Sequence, residues 1–140
     1  MGHRTFPRRW AAPLAVALAP ALVLAACGDD DDGDAATFCD RLVDLTENDP
    51  FASLGDAATA SQMEAAMNAL RARAEELVDV APEVARGATT DYRDAVVAVD
   101  DLLAEAGYSP AGLDVGRYQA ASKDYAAAAV RLERHLTAEC

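Results

Sequence analysis

Aromatic and basic residues are scarce in this sequence, which limits both its binding partners and the composition of its core. The chain has one tryptophan, Trp10, and two histidines, His3 and His135. Acidic residues outnumber basic ones by 24 to 12, and the formal net charge is −12. Because affinity for DNA or RNA comes mainly from basic patches, nucleic-acid binding is not expected. The core must be built mostly from Leu, Val and Ala.

Motifs that hold metals or drive catalysis are also missing. The sequence has no Glu-x-x-His pair for a di-iron bundle and no Cys-x-x-Cys-His haem attachment. A haem held by His135 with Met63 or Met67 is disfavoured, because Ala-rich helix stripes predict close spacing with little room. Nucleophilic catalysis through histidine would depend on His135 alone. We therefore predict no catalytic residues, no metal site and no enzymatic activity.

The first 26 residues have the layout of a secretory signal peptide. Arg4, Arg8 and Arg9 stand near the start without acidic neighbours, and an apolar run of 16 residues follows from Ala11 to Ala26. A basic start, an apolar middle and a small-residue end are typical of export signals. The run is shorter than the roughly 20 residues that span a bilayer and contains two prolines, so a permanent transmembrane helix is the weaker hypothesis.

The end of this segment, Leu24-Ala25-Ala26-Cys27, resembles the lipobox of bacterial lipoproteins. The resemblance implies that a signal peptidase recognises the first three residues and cleaves before Cys27. It also implies a diacylglyceryl group on the Cys27 thiol and, in some bacteria, an acyl group on the new terminal amine. Two acyl chains anchor stably, at about 0.8 kcal/mol per buried methylene. The alternative is an ordinary cleavage site beside an unrelated cysteine.

The lipid is the expected membrane contact, at the extracytoplasmic face, and no other cofactor is predicted. Cleavage removes three arginines and no acid, so the net charge falls from −12 to −15. A protein of this charge has no polybasic contact with anionic lipid. Arg8-Arg9 partly resembles a twin-arginine signal, but Trp10-Ala11-Ala12 departs from that pattern, so the export route stays open.

The chain after the cleavage point divides into a tether and one domain. Residues 28–36 hold five aspartates and no apolar periodicity, which predicts a solvated acidic spacer. A calcium loop of the EF-hand type is disfavoured, because a loop centred on Gly33 would place Gly28 and Cys39 where carboxylates are needed. The predicted organisation is a signal peptide at 1–26, an anchor cysteine with flexible tether at 27–36, and a helical domain at 37–140.

The domain is predicted to be all-α, a small antiparallel four-helix bundle, because apolar residues recur at helical spacing and no strand pattern occurs. The first helix is predicted from Phe38 to about Asn48. The second follows a capping box formed by Ser61 and Glu64. Its apolar stripe continues to Ala81.

The third predicted helix starts near Pro82 and stops at Gly107, and the fourth runs from about Val115 to the end. Asp100, Asp101 and Glu105 are predicted to face solvent. Three tyrosines are interpreted as core residues with hydroxyls at the rim, rather than as a substrate platform: Tyr92, Tyr118 and Tyr125.

A Cys39–Cys140 disulfide is predicted from the topology of the bundle. The start of the first helix and the end of the fourth lie at the same end of an antiparallel bundle of four. Export permits disulfides, whereas free thiols or a metal site are the alternatives. The bond would close nearly the whole domain, which the chain-entropy model values at about 4–5 kcal/mol.

The lipobox, the acidic spacer, the Phe38-Cys39 pair and the terminal Cys140 are together similar to small helical lipoproteins of high-GC Gram-positive bacteria. This resemblance covers the layout of the chain and implies no activity. The first functional hypothesis is a non-enzymatic interaction or accessory module of the cell envelope, with an envelope protein as partner. The second is a binder of a small apolar or lipidic ligand between the helices. The third is an envelope enzyme that uses a carboxylate pair.

Overall fold

Four helices form the domain, as the periodicity predicts. The structure is a computed structural model that describes residues 31–55 and 57–140, none of which lies in a strand. The elements are α1 (Asp31–Glu47), α2 (Ala60–Asp79), α3 (Glu83–Glu105), a 3₁₀ turn (Pro110–Gly112) and α4 (Val115–Glu139). Helix α3 packs against α2 and α4, and α1 contacts the same two helices. None of the described helices is both long enough and apolar enough to cross a membrane.

Helix α1 begins earlier than the apolar spacing predicts. Its first residue is Asp31, so residues 31–36 are helical rather than an extended spacer. Two physical effects favour this extension: acidic residues near a helix N-terminus complement the helix dipole, and Ala35 and Ala36 have high helix propensity. The signal segment, Cys27 and the rest of the predicted spacer, residues 1–30, lie outside the described residues.

Helix α2 is capped by Thr59 and Gln62, and the prediction that Ser61 and Glu64 form the capping box is wrong. The Thr59 side chain accepts a hydrogen bond from the Gln62 backbone N–H at 3.3 Å. The Gln62 side chain in turn accepts one from the Thr59 backbone N–H at 2.9 Å. The helix therefore starts at Ala60, with two of its first free amides satisfied.

Helix α3 starts just after Pro82 and ends at the predicted glycine. Pro82 is the N-cap, and the chain stays helical through Gly87. Gly107 has φ of +60°, a left-handed conformation in which glycine has no side-chain clash. Tyr108 follows with φ of +52°, and its N–H donates to the Leu103 carbonyl at 2.7 Å. The chain thus reverses direction within two residues and folds back toward α3.

The buried core combines residues from all four helices. The residues in it are Phe38, Leu42, Met67, Leu70, Ala74, Leu77, Ala81, Ala85, Tyr92, Val96, Ala128 and Leu132. The predicted Cys39–Cys140 disulfide is confirmed, with 5.6 Å between the two Cα atoms. It joins α1 to the residue that follows α4 and so closes the ring of helices at one end.

Candidate functional site

A cavity that is partly open to solvent lies where α1 ends. It has a volume of about 510 Å³. Its lining is mostly apolar and aromatic: Leu45, Thr46, Asp49, Pro50, Phe51, Met63, Met67, Leu70, Tyr92, Val96, Val99, Leu103, Tyr118 and Tyr125. The volume lies within the range of typical small-molecule sites, which begins at about 300 Å³.

The Ala-rich stripes predict close helix spacing with little room for a porphyrin, and the cavity shows that this close spacing does not extend through the whole bundle. The alanines do pack closely elsewhere, since Ala74, Ala85 and Ala128 are almost completely buried. Around the cavity the inward residues are large, and α1 stops at Glu47, so the loop at residues 48–51 covers the space beyond its end. Close helix spacing is therefore a property of part of the bundle only.

An arginine of α2 holds this loop in place. The Arg73 guanidinium donates to the Asn48 carbonyl oxygen and lies 3.9 Å from the Asp44 carboxylate. The Asn48 side-chain amide also donates to Asp44, at 2.6 Å. These contacts satisfy groups at the C-terminus of α1, where orphan carbonyls need donors. The same contacts also fix the position of the next residue, Asp49, which lines the cavity.

Asp49 organises the turn that closes the cavity. One of its carboxylate oxygens, Oδ1, accepts a hydrogen bond from the Phe51 backbone N–H at 2.9 Å. The Ala52 N–H donates to the Asp49 carbonyl at 3.0 Å, and the Leu54 N–H donates to the Phe51 carbonyl at 2.9 Å. Asp favours such turns because its side chain mimics a backbone acceptor. The same carboxylate is a lining group of the cavity.

Tyr92 and Tyr125 form a wall of the cavity. Their ring centroids lie 5.5 Å apart in a tilted arrangement, and their hydroxyl oxygens are 3.4 Å apart. Burial chiefly, and then the Tyr125 hydroxyl and the negative charge of Asp49, raise the pKa of Tyr92 above its ordinary value of 10. Tyr92 is 3% exposed, as predicted for a core residue. Tyr118 and Tyr125 are only half-buried. All three tyrosines line the cavity.

A second cavity of about 460 Å³ adjoins the first and is lined by residues of α1, α3 and α4. The two cavities share four lining residues: Leu45, Thr46, Tyr92 and Tyr125. The charged residues of the two linings are Asp49 and Glu133, and no Lys or Arg among the described residues lines either space. The two cavities are thus apolar and aromatic, with negative charge as their only formal charge.

Asp100 is buried, and the prediction that it faces solvent is wrong. It is 5% exposed, whereas Asp101 and Glu105 are exposed as predicted. The Tyr108 hydroxyl donates to Asp100 Oδ1 at 2.9 Å, and Arg71 Nη1 donates to Oδ2 at 3.4 Å. The sharp chain reversal after α3 brings Tyr108 back onto Asp100, which helical periodicity alone cannot predict. Both carboxylate oxygens therefore have donors, as a buried charge requires.

Substituting Tyr108 with Phe is expected to lower the free energy of unfolding by about 1–2 kcal/mol, because one donor to a buried charge is lost. Burial and then Asp100 raise the pKa of Tyr108 to about 12. Between pH 10 and 12 the unfolded chain therefore loses a proton that the folded chain keeps, and stability falls. Urea unfolding at pH 7 and pH 11 should show a smaller alkaline loss for Tyr108→Phe than for wild type.

The matched control is Tyr118→Phe, because no hydrogen bond to the Tyr118 hydroxyl is formed within residues 31–55 and 57–140. It should keep the wild-type stability at pH 7. An unchanged alkaline loss in Tyr108→Phe would contradict the role assigned to the hydrogen bond with Asp100.

The other residues predicted from the sequence fall into separate places. Leu24, Ala25, Ala26 and Cys27 lie outside the described residues. His135 is half-buried on α4 and lines neither of the two cavities, whereas Met63 and Met67 line the larger one. Within the described residues, no group of three His, Cys, Asp or Glu side chains could hold a metal ion.

Sequence reasoning missed the loop residues Asp49, Pro50 and Phe51 as part of a site. In the sequence, Asp49-Pro50 indicates only where the first helix ends, because the residue before a proline is pushed out of the helical region of backbone conformation. No protein-family model matches the chain, and no curated protein or solved structure is significantly similar to it.

Proposed function

We propose that the chain is a lipid-anchored protein of the cell envelope that binds a small apolar ligand between its helices and catalyses no reaction. The observation that carries this proposal is the cavity of about 510 Å³ at the end of α1. A solvent-open, mostly apolar space with a few polar groups is the usual form of a small-molecule site. This observation favours the ligand-binding hypothesis over the protein-interaction module.

The lipid anchor is proposed from the lipobox at Leu24-Ala25-Ala26-Cys27. The disulfide between Cys39 and Cys140 supports export, because such bonds persist mainly in oxidising compartments. The lipid would hold the protein at the outer face of the cell membrane, where apolar molecules are concentrated.

The absence of catalysis is proposed because the buried acid has structural partners. Asp100 is held by Arg71 and Tyr108, rather than by the second carboxylate that the enzyme hypothesis requires. Asp49 lines the cavity as a single carboxylate, and Tyr92, whose pKa burial raises above 10, is a neutral phenol at neutral pH. These groups can hold and orient a ligand.

The Val99→Phe variant is expected to block the cavity and to lower ligand affinity at least tenfold. Val99 is half-buried on α3 and lines the cavity, so a phenyl ring placed there occupies ligand space. The measurement is calorimetric titration with decanol, using the mature chain from residue 27 with Cys27→Ala, which has neither the apolar signal segment nor an acyl group. The control is Val84→Phe, the same change on the same helix at a side chain that is 68% exposed.

Thermal unfolding gives a second measurement, which tests ligand binding even if the Val99→Phe variant fails to fold. A ligand that binds only the folded state raises the melting temperature as its concentration rises. Decanol should therefore stabilise the wild-type cavity and the Val84→Phe control. The proposal is wrong if decanol neither binds nor stabilises the chain that has the wild-type cavity.

A further inference from the structure

We propose that the ligand is a hydrophobic cation, an apolar chain or ring that carries an amine or a quaternary ammonium group. This inference rests on the proposed ligand-binding function and names the class of ligand. It follows from the charges and the aromatic rings that the structure places around the cavity at the end of α1.

The charge of the lining favours a positive ligand. Asp49 in the larger cavity and Glu133 in the adjoining one are the formal charges of the two linings, and neither forms an ion pair within the described residues. Asp49 uses Oδ1 for the Phe51 N–H, and Oδ2 makes no hydrogen bond there. An anionic head group would meet like charge at this place, whereas a cation would meet an available acceptor.

The aromatic residues of the lining also favour a positively charged ligand. Phe51, Tyr92, Tyr118 and Tyr125 all line the larger cavity. Faces of aromatic rings attract cations, and the attraction is stronger where the site is desolvated. Aromatic rings gathered beside a carboxylate are the combination that recognises ammonium groups. The apolar residues around them, such as Met63, Val99 and Leu103, suit the remainder of an amphiphilic molecule.

Asp49 and Tyr92 line the same cavity. Burial chiefly, then the Tyr125 hydroxyl and last the negative charge of Asp49 raise the pKa of Tyr92. The overall excess of acid, 24 Asp and Glu against 12 Lys and Arg, adds a general attraction for cations on approach.

Three ligands with the same ten-carbon chain test the inference: decyltrimethylammonium, decanol and decanoate. Titration of the mature chain from residue 27 with Cys27→Ala, at neutral pH, should give the tightest binding for decyltrimethylammonium, with decanoate at least tenfold weaker. Adding Asp49→Asn should weaken binding of the cation two- to fivefold and leave decanol binding unchanged, because an exposed ion pair contributes only modestly to affinity. Asp79→Asn removes the same charge from an exposed position of α2 outside both linings, and should change nothing.

A ring substitution separates the aromatic contribution from the charge. Tyr118→Leu should weaken decyltrimethylammonium about threefold relative to decanol, whereas Tyr118→Phe should keep the cation preference. Equal affinities for the three ligands, or tightest binding of decanoate, would overturn the cation preference and leave the ligand-binding function standing. If none of the three binds or raises the melting temperature, the ligand-binding function itself fails, and the preference fails with it.

Discussion

Removing the Cys39–Cys140 disulfide is expected to lower the free energy of unfolding by about 4–5 kcal/mol. The two cysteines are separated by 101 positions, and the chain-entropy model assigns about 4.7 kcal/mol to a closed loop of about 100 residues. Domains of this size have a net stability of about 5–15 kcal/mol, so the loss would be a large fraction of it. Urea unfolding of wild type and the Cys39→Ser/Cys140→Ser variant, followed by circular dichroism, measures the difference.

Wild-type protein treated with a reductant is the control, because it lacks the bond without any change of sequence. It should unfold at the same urea concentration as the double variant. The disulfide also joins α1 to the end of α4, and Leu45 of α1 lines both cavities, so the reduced protein should bind decanol more weakly. A stability loss below 1 kcal/mol would mean that the bond hardly constrains the unfolded chain.

Substituting Cys27 with Ala is expected to abolish lipid attachment. The lipobox resemblance makes the Cys27 thiol the site of the diacylglyceryl group. Fractionation of cells grown with labelled palmitate should find the wild-type chain labelled and in the membrane fraction. The variant should be unlabelled.

The Cys140→Ser variant controls for loss of a cysteine as such, because it keeps Cys27 and should stay labelled and membrane-bound. Palmitate label on the Cys27→Ala chain would show that the lipid is attached elsewhere. A wild-type chain without label would remove the lipoprotein proposal.

Helical periodicity was sufficient to predict the number and order of the helices. Leu70 and Leu77 recur on one face of α2, and Val96 lies on the buried face of α3. Burial of such a face stabilises each helix, wherever the helix starts and ends. Gly107 and the Cys39–Cys140 pairing could also be predicted, since the first depends on local backbone chemistry and the second on the parity of the bundle. Boundaries were less predictable, because both Thr59-x-x-Gln62 and Ser61-x-x-Glu64 fit a capping box.

The candidate site could not be predicted because it depends on contacts between distant parts of the chain. The loop carrying Asp49 is positioned by Arg73, 24 residues further along the sequence. Asp100 contacts both Arg71 of α2 and Tyr108, which turns back onto it in a left-handed conformation. A cavity is a gap between packed elements, and the spacing of apolar residues indicates which faces meet without giving the volume left between them.

Methyl groups of methionine provide the most direct measurement of the cavity as a ligand site. The chain has three methionines: Met1 precedes the predicted cleavage point, and Met63 and Met67 both line the cavity. NMR spectra of the processed chain, with ¹³C-labelled methionine methyl groups, should therefore show two signals. The ligand-binding account predicts that both signals shift during titration with decyltrimethylammonium and that Val99→Phe abolishes the shifts. Two signals that stay unchanged at saturating ligand would contradict it.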